Sequence, residues 1–251
     1  MTNMNKVNNL FIFLLFYKQA FTNKNTNDII NLKLFKEENK MLKGIECIGH
    51  STIKINKDNK IIYIDPYNIS DGINDADYIF ITHNHYDHFS EEDIKKVKNN
   101  ETIIIITEDL YTNTLKLGFN GMNIITVKPN ENYQVEGIKF STIPAYNTNK
   151  TFHPKENNWV GYIIELEGGK YYIVGDTDIT DENKKVKCDV AFVPVGGTYT
   201  MDFKEAAHLI NEIKPKIAVP IHYGSIVGTK QDATDFVKLL HPNIKGIILI
   251  K

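Results

Sequence analysis

The chain has 251 residues, 42% hydrophobic and 24% charged, a composition typical of a globular protein with one sizeable domain or at most two small ones. Its formal net charge is −2, so it lacks the basic field that a general nucleic-acid binder shows, and acidic membrane surfaces are poor electrostatic partners. All 29 residues counted as Lys or Arg are lysine. The bidentate contacts that arginine makes with phosphate and carboxylate groups are therefore excluded.

The first forty residues differ in composition from the rest of the chain. They are rich in Asn and contain one apolar run, Leu10 to Tyr17, which is far shorter than the roughly 20 residues that cross a bilayer. No small-residue cleavage site follows this run, which disfavours a signal peptide. Met41 opens the first strand-like segment. We therefore predict that residues 41–251 are the functional domain. Residues 1–40 are expected to be a dispensable extension, or to result from a start codon assigned too far upstream.

From Lys43 onwards, short segments rich in β-branched residues alternate with polar turns. Helices are predicted at Ser90 to Lys98, Met201 to Ile213 and Gln231 to Leu240, and Ser90 with Asp93 is typical of a helix N-terminal cap. The strand-rich first half and the alternating second half favour a layered α/β sandwich. The predicted strands lie at residues 44–49, 51–56, 60–65, 77–82, 102–107, 123–127, 137–145, 159–166, 170–176, 189–195, 216–221 and 246–250.

The densest chemical signal is the segment ITHNHYDHFS at residues 81–90. His83 and His85 are two residues apart at the exit of an apolar strand, so their rings can point in the same direction. Asp87 and His88 follow at once. Neutral imidazole and carboxylate groups are good ligands for Zn²⁺, Fe²⁺ or Mn²⁺. This spacing favours a metal site over a polar loop that merely happens to be rich in His.

Two further strand ends carry side chains of the same kind. Asp176 follows an apolar strand and Gly175, and a carboxylate there can bridge two cations. His222 ends the apolar strand IAVPI. Either residue alone could be a turn Asp or a structural His, but their occurrence together with the His-rich loop favours one shared site.

The motifs THNHYDH and GDT, with a late His at a strand end, resemble the H-x-H-x-D-H pattern of the metallo-β-lactamase superfamily. More narrowly, IDPY, PAYN, GDTD, PVGGTYTMD and PIHYG resemble a branch of metal-dependent hydrolases related to ascorbate-6-phosphate lactonases and N-acylphosphatidylethanolamine phospholipase D. The resemblance covers Met41 to the C-terminus. It implies a hydrolase domain with the α/β, four-layered αββα sandwich of this superfamily, and a site along one edge of the paired sheets.

The resemblance also implies two divalent cations, Zn or alternatively Mn or Fe, which share a hydroxide that attacks the substrate. Asp87 could also take part in proton transfer, and Asp176 is expected to bridge the cations. The implied ligands are His83 and His85 for the first cation, Asp87, His88 and His222 for the second, and Asp176 for both.

The chain departs from this pattern at one place. Relatives often have a His two residues after a Pro-Ala pair, where this chain has Asn147. His153 is the nearest replacement as a ligand of the first cation, and a loop His that contacts substrate is the alternative. Asn147 is then expected mainly to affect the binding of substrate.

Four further residues are weaker candidates for the site. His50 follows a strand and either faces the site or belongs to the core. Asp65 is expected to orient a metal-bound His, since such ligands need a carboxylate or carbonyl partner, with a plain turn Asp as the alternative. The backbone N–H groups of Gly197 and Thr198 could face an anion, although a Gly-Gly turn alone is weak evidence.

The function that these features favour is metal-dependent hydrolysis of a small ester-like bond in a lactone, ester, amide or phosphodiester. One alternative is a nuclease or nucleotide phosphodiesterase, which the acidic charge and the lack of arginine disfavour. Another is a non-hydrolytic di-iron or metal-binding protein. The expected partner is a small-molecule substrate, with no nucleic acid and no membrane span. Cys47 and Cys188 lie far apart, which favours free thiols and a cytoplasmic location.

Overall fold

A computed structural model describes residue 37 and residues 40–250 of the chain. The prediction for residues 1–40 lies almost entirely outside these residues. No helix in the described part is long and apolar enough to cross a membrane.

The described residues form two sheets, each partly antiparallel and partly parallel. The first sheet contains β1 Ile45–Gly49, β2 Thr52–Lys57, β3 Lys60–Ile64, β4 Ala76–Phe80, β5 Lys98–Thr107 and β6 Ile124–Val127, in that order. The second contains β7 Asn132–Val135, β8 Ile138–Pro144, β9 Val160–Leu166, β10 Gly169–Ile173, β11 Val190–Pro194, β12 Ile217–Ile221 and β13 Lys245–Gly246, in the order from β13 to β7. The helices are α1 Glu91–Val97, α2 Tyr111–Lys116, α3 Phe203–Ile213 and α4 Lys230–Lys238.

Both sheets follow the same plan. In the first sheet β1 to β3 are antiparallel and β3 to β6 are parallel. In the second, β7 to β10 are antiparallel and β10 to β13 are parallel. Parallel strands covered on both faces read as continuous apolar runs, and β11 is accordingly buried at every residue.

Three apolar clusters separate four layers. The central cluster joins the facing sides of the two sheets, with Phe80 from the first and Tyr162 from the second in edge-to-face contact at 5.2 Å between ring centroids. Ile94 of α1 packs in a cluster on the outer side of the first sheet. Ile210 of α3 and Phe236 of α4 pack on the outer side of the second sheet. The αββα order expected from the sequence is confirmed.

The sequence did not predict two of the elements and misplaced a third, each for a physical reason. The helix α2 buries only Thr114, so its sequence shows no apolar periodicity. The strand β7 is a short edge strand that alternates between exposed and half-buried residues. The last strand covers Lys245–Gly246 rather than residues 246–250. The carbonyls of Lys216, just before the neighbouring strand β12, and of Ala218 within it accept bonds from the last strand. Two residues further along β12 is Pro220, which has no N–H to donate.

Candidate metal centre

Five side chains converge because the strands that carry them end at the same edge of the sandwich. His50, Asp65 and His222 directly follow β1, β3 and β12, and His83 and Asp176 come three residues after β4 and β10. The edges of the two sheets are joined here, since the Tyr162 hydroxyl donates to the Ile81 carbonyl at 2.6 Å. These five predicted site residues therefore lie in one place.

Three of these residues adopt a left-handed backbone, with φ of 49° at His50, 44° at Asp65 and 57° at His222. Side chains other than Gly disfavour this region, at a cost of about 1–3 kcal/mol each, and such strain clusters at functional sites. The surroundings hold the turns in place. The His222 N–H donates to the His50 carbonyl at 2.8 Å, and the Asp65 N–H donates to the Phe80 carbonyl at 3.0 Å.

The first histidine set consists of His83, His85 and His153. One ring nitrogen of each lies within 4.8 Å of the others, and His83 Nε2 is 3.0 Å from His85 Nδ1. His153 is only 1% exposed, so its loop folds back over the strand ends rather than into solvent. The structure thus brings together the two motif histidines and the residue proposed to replace the missing third.

The second set consists of Asp87, His88 and His222, with His50 beside them; one ligand atom of each of the four lies within 4.8 Å of the others. Asp87 Oδ2 is 3.6 Å from His88 Nε2 and 3.8 Å from His222 Nε2. The same oxygen is 2.9 Å from His50 Nε2. His50 therefore fixes the orientation of the Asp87 carboxylate.

Asp176 lies between the two sets. Its Oδ2 is 3.3 Å from His153 Nε2 of the first set and 3.1 Å from His222 Nε2 of the second. Its Oδ1 is 3.4 Å from His88 Nε2. Gly175 allows this approach, because its φ is +71° and a Cβ there would lie 3.1 Å from the Val160 carbonyl oxygen.

The centre fits bound cations. His88 Nε2, His153 Nε2 and His222 Nε2 are buried without a hydrogen-bond partner, although an Asp176 oxygen lies near each. A buried polar atom left without a partner costs about 1–3 kcal/mol, and coordination of a cation would satisfy it. Imidazole nitrogens with shared carboxylate oxygens are the donors that Zn²⁺ and similar ions prefer.

Two residues outside the histidine sets orient His88 and His153 through the ring nitrogen that faces away from the centre. Asp65 Oδ2 lies 2.8 Å from His88 Nδ1, and its two oxygens accept from the N–H and hydroxyl of Thr82. Asn147 Oδ1 lies 2.9 Å from His153 Nδ1. Both contacts leave Nε2 of the histidine directed into the centre, the arrangement that metal-binding histidines usually show.

Burial keeps several of the imidazoles neutral. It lowers the pKa of His83 well below its ordinary value and also lowers the pKa of His85, and neighbouring imidazoles act in the same direction. Burial also lowers the pKa of His50 despite its contact with Asp87. Neutral rings have the free lone pair that a cation requires.

The carboxylates concentrate negative charge around the second set. Burial alone would lower the pKa of His88, but Asp176 and Asp65 raise it well above its ordinary value. Burial alone would raise the pKa of Asp176, but His222 and His88 hold it well below its usual range. The pKa of Asp87 is likewise low, because its contact with His50 outweighs burial. The centre therefore attracts positive charge.

Sequence reasoning missed the residues that support the first set. Trp159 packs beside His83 and His85, with ring centroids 5.0 and 4.9 Å away, and its indole N–H donates to Asp109. The buried carboxylate of Asp178 accepts from the Thr148 N–H at 2.8 Å and so anchors the loop that carries Asn147. The only Trp of the chain, next to a strand, was a signal that could have indicated the first of these.

The turn at Gly197 and Thr198 differs from expectation. Both residues have positive φ, but the Gly197 N–H donates to the Met201 carbonyl at 3.1 Å and so closes the turn itself. The Gly197 N–H is therefore already hydrogen-bonded and is not directed at an anion. The turn instead places the Tyr199 carbonyl where it accepts from Asn147 Nδ2 at 3.0 Å.

Facing sheets with two sets of His and Asp side chains at one edge define the class of metallo-β-lactamase fold proteins. A family model described as a beta-lactamase superfamily domain matches residues 44–222, and the chain belongs to that superfamily as a metal-dependent hydrolase. It is 30% identical to a UPF0173 metal-dependent hydrolase of Thermococcus onnurineus, over 82% of this chain and 95% of the relative. A UPF0173 metal-dependent hydrolase of Staphylococcus carnosus is also 30% identical, over 77% and 90%.

Solved structures agree with this assignment. A protein of Parabacteroides distasonis, named as a metal-dependent hydrolase, is 30% identical with a TM-score of 0.68, over 82% of this chain and 93% of the other. The metallo hydrolase Igni18 of Ignicoccus hospitalis is 23% identical with a TM-score of 0.67, over 82% and 94%, and supports the fold.

Proposed function

We propose that this protein uses two divalent cations, with zinc as the first choice, to hydrolyse a small ester-like bond in a lactone, ester, amide or phosphodiester. The observation that carries the proposal is the position of Asp176, whose Oδ2 is within 3.3 Å of a histidine from each set. A carboxylate so placed between two groups of imidazoles fits a pair of cations. The cations, when bound, polarise the carbonyl or phosphoryl oxygen of the substrate and lower the pKa of water.

In this proposal His83, His85 and His153 would hold one cation, Asp87, His88 and His222 would hold the other, and Asp176 would be shared by both. Asp87 also acts as the general base and general acid. Its carboxylate lines the opening of the centre, and its low pKa keeps it ionised at neutral pH. As the oxygen of water bonds to the substrate, Asp87 can accept a proton and return it to the leaving group when the ester-like bond breaks.

The test is a metal-replete assay with lactones, esters, amides and phosphodiesters, together with the metal content of the protein. We expect two Zn²⁺ per chain, and activity that a chelator removes and Zn²⁺ restores. Asp87→Asn should reduce turnover by about 10²- to 10⁴-fold, the usual contribution of a general acid or base. Asp181→Asn changes an exposed carboxylate and should leave turnover unchanged. Activity that survives complete removal of metal would contradict the proposal.

The alternative of a nuclease or nucleotide phosphodiesterase is tested in the same screen. Single-stranded RNA and cyclic nucleotides serve as its substrates, and turnover of these that exceeds turnover of lactones and esters would replace our proposal. A di-iron protein without hydrolytic activity would be distinguished by its absorption spectrum, since a zinc centre is colourless.

The proposed location is a reducing compartment such as the cytoplasm. Cys47 is buried, and both it and Cys188 are free thiols. Burial raises the pKa of each to about 12, which keeps them protonated and unreactive. Free, unreactive thiols suit a compartment in which disulfides do not form.

A further inference from the structure

The opening above the metal centre is a small cavity of about 250 Å³. This volume lies just below the roughly 300–1,000 Å³ of ordinary ligand sites, so the cavity suits a small molecule or one substituent of a larger one. Its floor is formed by three residues of the centre, His85, Asp87 and Asp176. The other lining residues are three aromatic side chains, Tyr86, Phe152 and Tyr199, together with Ile226. We call these four residues the aromatic collar.

Two aromatic side chains of the aromatic collar are exposed to solvent. Tyr86 is 65% exposed and Phe152 is 45% exposed. The Phe152 and Tyr199 rings meet edge-to-face, with centroids 4.7 Å apart. Clustered apolar side chains around a cavity mark a binding site, whereas scattered ones do not.

The collar is held rigidly by the metal centre itself. Phe152 directly precedes His153, whose backbone N–H donates to Asn147 Oδ1 at 3.0 Å. The Tyr199 carbonyl accepts from Nδ2 of the same Asn147 at 3.0 Å. The backbone segments that carry both rings are thus tied to one amide, and an apolar group bound against the rings lies beside the metal centre rather than at a remote surface.

The side chains that line the cavity do not favour an anion at the collar. The charged side chains that line it are Asp87 and Asp176, both carboxylates directed at the centre. No lysine is among the described residues that line it. The nearby loop lysine, Lys150, is paired with Asp178 instead. A phosphate or carboxylate held against the collar would therefore find no positively charged side chain among the lining residues, and only the cations proposed for the centre would attract it.

We propose that the aromatic collar binds an uncharged alkyl or aryl substituent next to the scissile bond, so that the substrates are small neutral esters or lactones rather than phosphorylated ones. This inference rests on the proposed hydrolase function and narrows it. Each methylene buried in the collar should raise kcat/KM about fourfold until the cavity is filled.

The test uses γ-lactones whose side chain grows from methyl to hexyl, and a matched lactone whose hexyl chain ends in phosphate. We expect kcat/KM to rise along the alkyl series and the phosphate-ended lactone to fall at least tenfold below its neutral match. Phe152→Ala should remove most of the rise without altering metal content, and Phe152→Leu should restore part of it. Met122→Ala, which changes an apolar side chain exposed elsewhere, is the control. A flat series, or preference for the phosphate-ended lactone, would overturn the inference while leaving the hydrolase proposal intact.

A binding measurement separates the two proposals if no lactone or ester is turned over. Alkyl hydroxamates, which bind metal through their head group, are titrated into the zinc-loaded protein by calorimetry. Affinity that rises about fourfold per methylene and falls in Phe152→Ala supports the collar even when the hydrolase proposal has failed. Affinity that is independent of chain length in the native protein overturns it.

Discussion

Asn147 accepts two hydrogen bonds from His153 through one side-chain oxygen, from the backbone N–H at 3.0 Å and from ring Nδ1 at 2.9 Å. A backbone N–H can only donate, so the receiving atom is the amide oxygen, and Nδ1 must carry the proton. The Nε2 lone pair of His153 is then free for a cation. We therefore expect Asn147 to act on the metal centre through His153, whereas the sequence alone predicted a main effect on substrate binding.

Asn147→Ala should weaken the binding of the first cation by about 10- to 100-fold, as loss of an orienting partner usually does. The second cation should be retained, and KM should change less than metal affinity. Competition with a chelator and the Co²⁺ absorption spectrum measure this. Asn149→Ala changes an exposed residue of the same loop and is the control. If Asn147→Ala raises KM with unchanged metal affinity, the role in substrate binding is the correct one.

Asp176→Ala should remove the contact that both sets share. Its side chain approaches His153, His222 and His88 within 3.1–3.4 Å, so its loss leaves both cations without a common ligand. We expect metal content to fall from two towards none and activity to fall by orders of magnitude, with the fold retained. Metal analysis and circular dichroism are the measurements. Two tightly held cations in the variant would show that Asp176 is only a turn residue.

The sequence predicts the parts of the site that depend on chain neighbours. The spacing of His83 and His85 and the strands that end at Asp176 and His222 are local features, and the structure brings these residues together. The partner of each ligand depends on contacts between distant segments. Trp159 lies beside His83 only when loops of different sheets meet, and the bond from Asn147 to Tyr199 joins two loops of the second sheet that are far apart in the chain. No periodicity or spacing encodes such contacts.

The same limit applies to the fold. Long apolar strands such as β5, and α1 with its Ser90 cap, are predictable because their patterns are local. The end of β13 is not, since it depends on Pro220 in a neighbouring strand. Elements with little buried surface, such as α2, also escape prediction because burial is what produces a pattern.

A chain that begins at Met41 should keep the fold and the metal centre. Met41 is 3% exposed and packs in the central cluster, and its carbonyl accepts from the Tyr171 hydroxyl at 2.9 Å. Within the part of the chain that the structure describes, the residues of all three apolar clusters lie at or after Met41. We expect a melting temperature within a few degrees of the full chain and the same metal content. A truncated chain that is insoluble or free of metal would show that the preceding residues belong to the fold.

The two sets should differ in how metal binding depends on pH. In the protein without metal, burial opposes a proton on His88, but Asp176 and Asp65 raise its pKa well above the ordinary value, so the second set carries a proton at neutral pH. A cation must displace that proton, and its affinity should therefore increase by about tenfold per pH unit as the pH rises. Burial lowers the pKa of His83 well below the ordinary value and also lowers that of His85, so these two histidines of the first set stay neutral in the same range.

Variants with one set disabled test this difference. His153→Ala keeps the second set, and we expect its Zn²⁺ affinity to rise steeply between about pH 6 and 8 with release of one proton per ion. His222→Ala keeps the first set, and its affinity should change less over that range, because His83 and His85 carry no proton there that a cation must displace. Chelator competition and proton release in a weakly buffered solution measure both. Identical pH profiles would contradict the assignment, because they would mean that Asp176 and Asp65 do not hold a proton on His88.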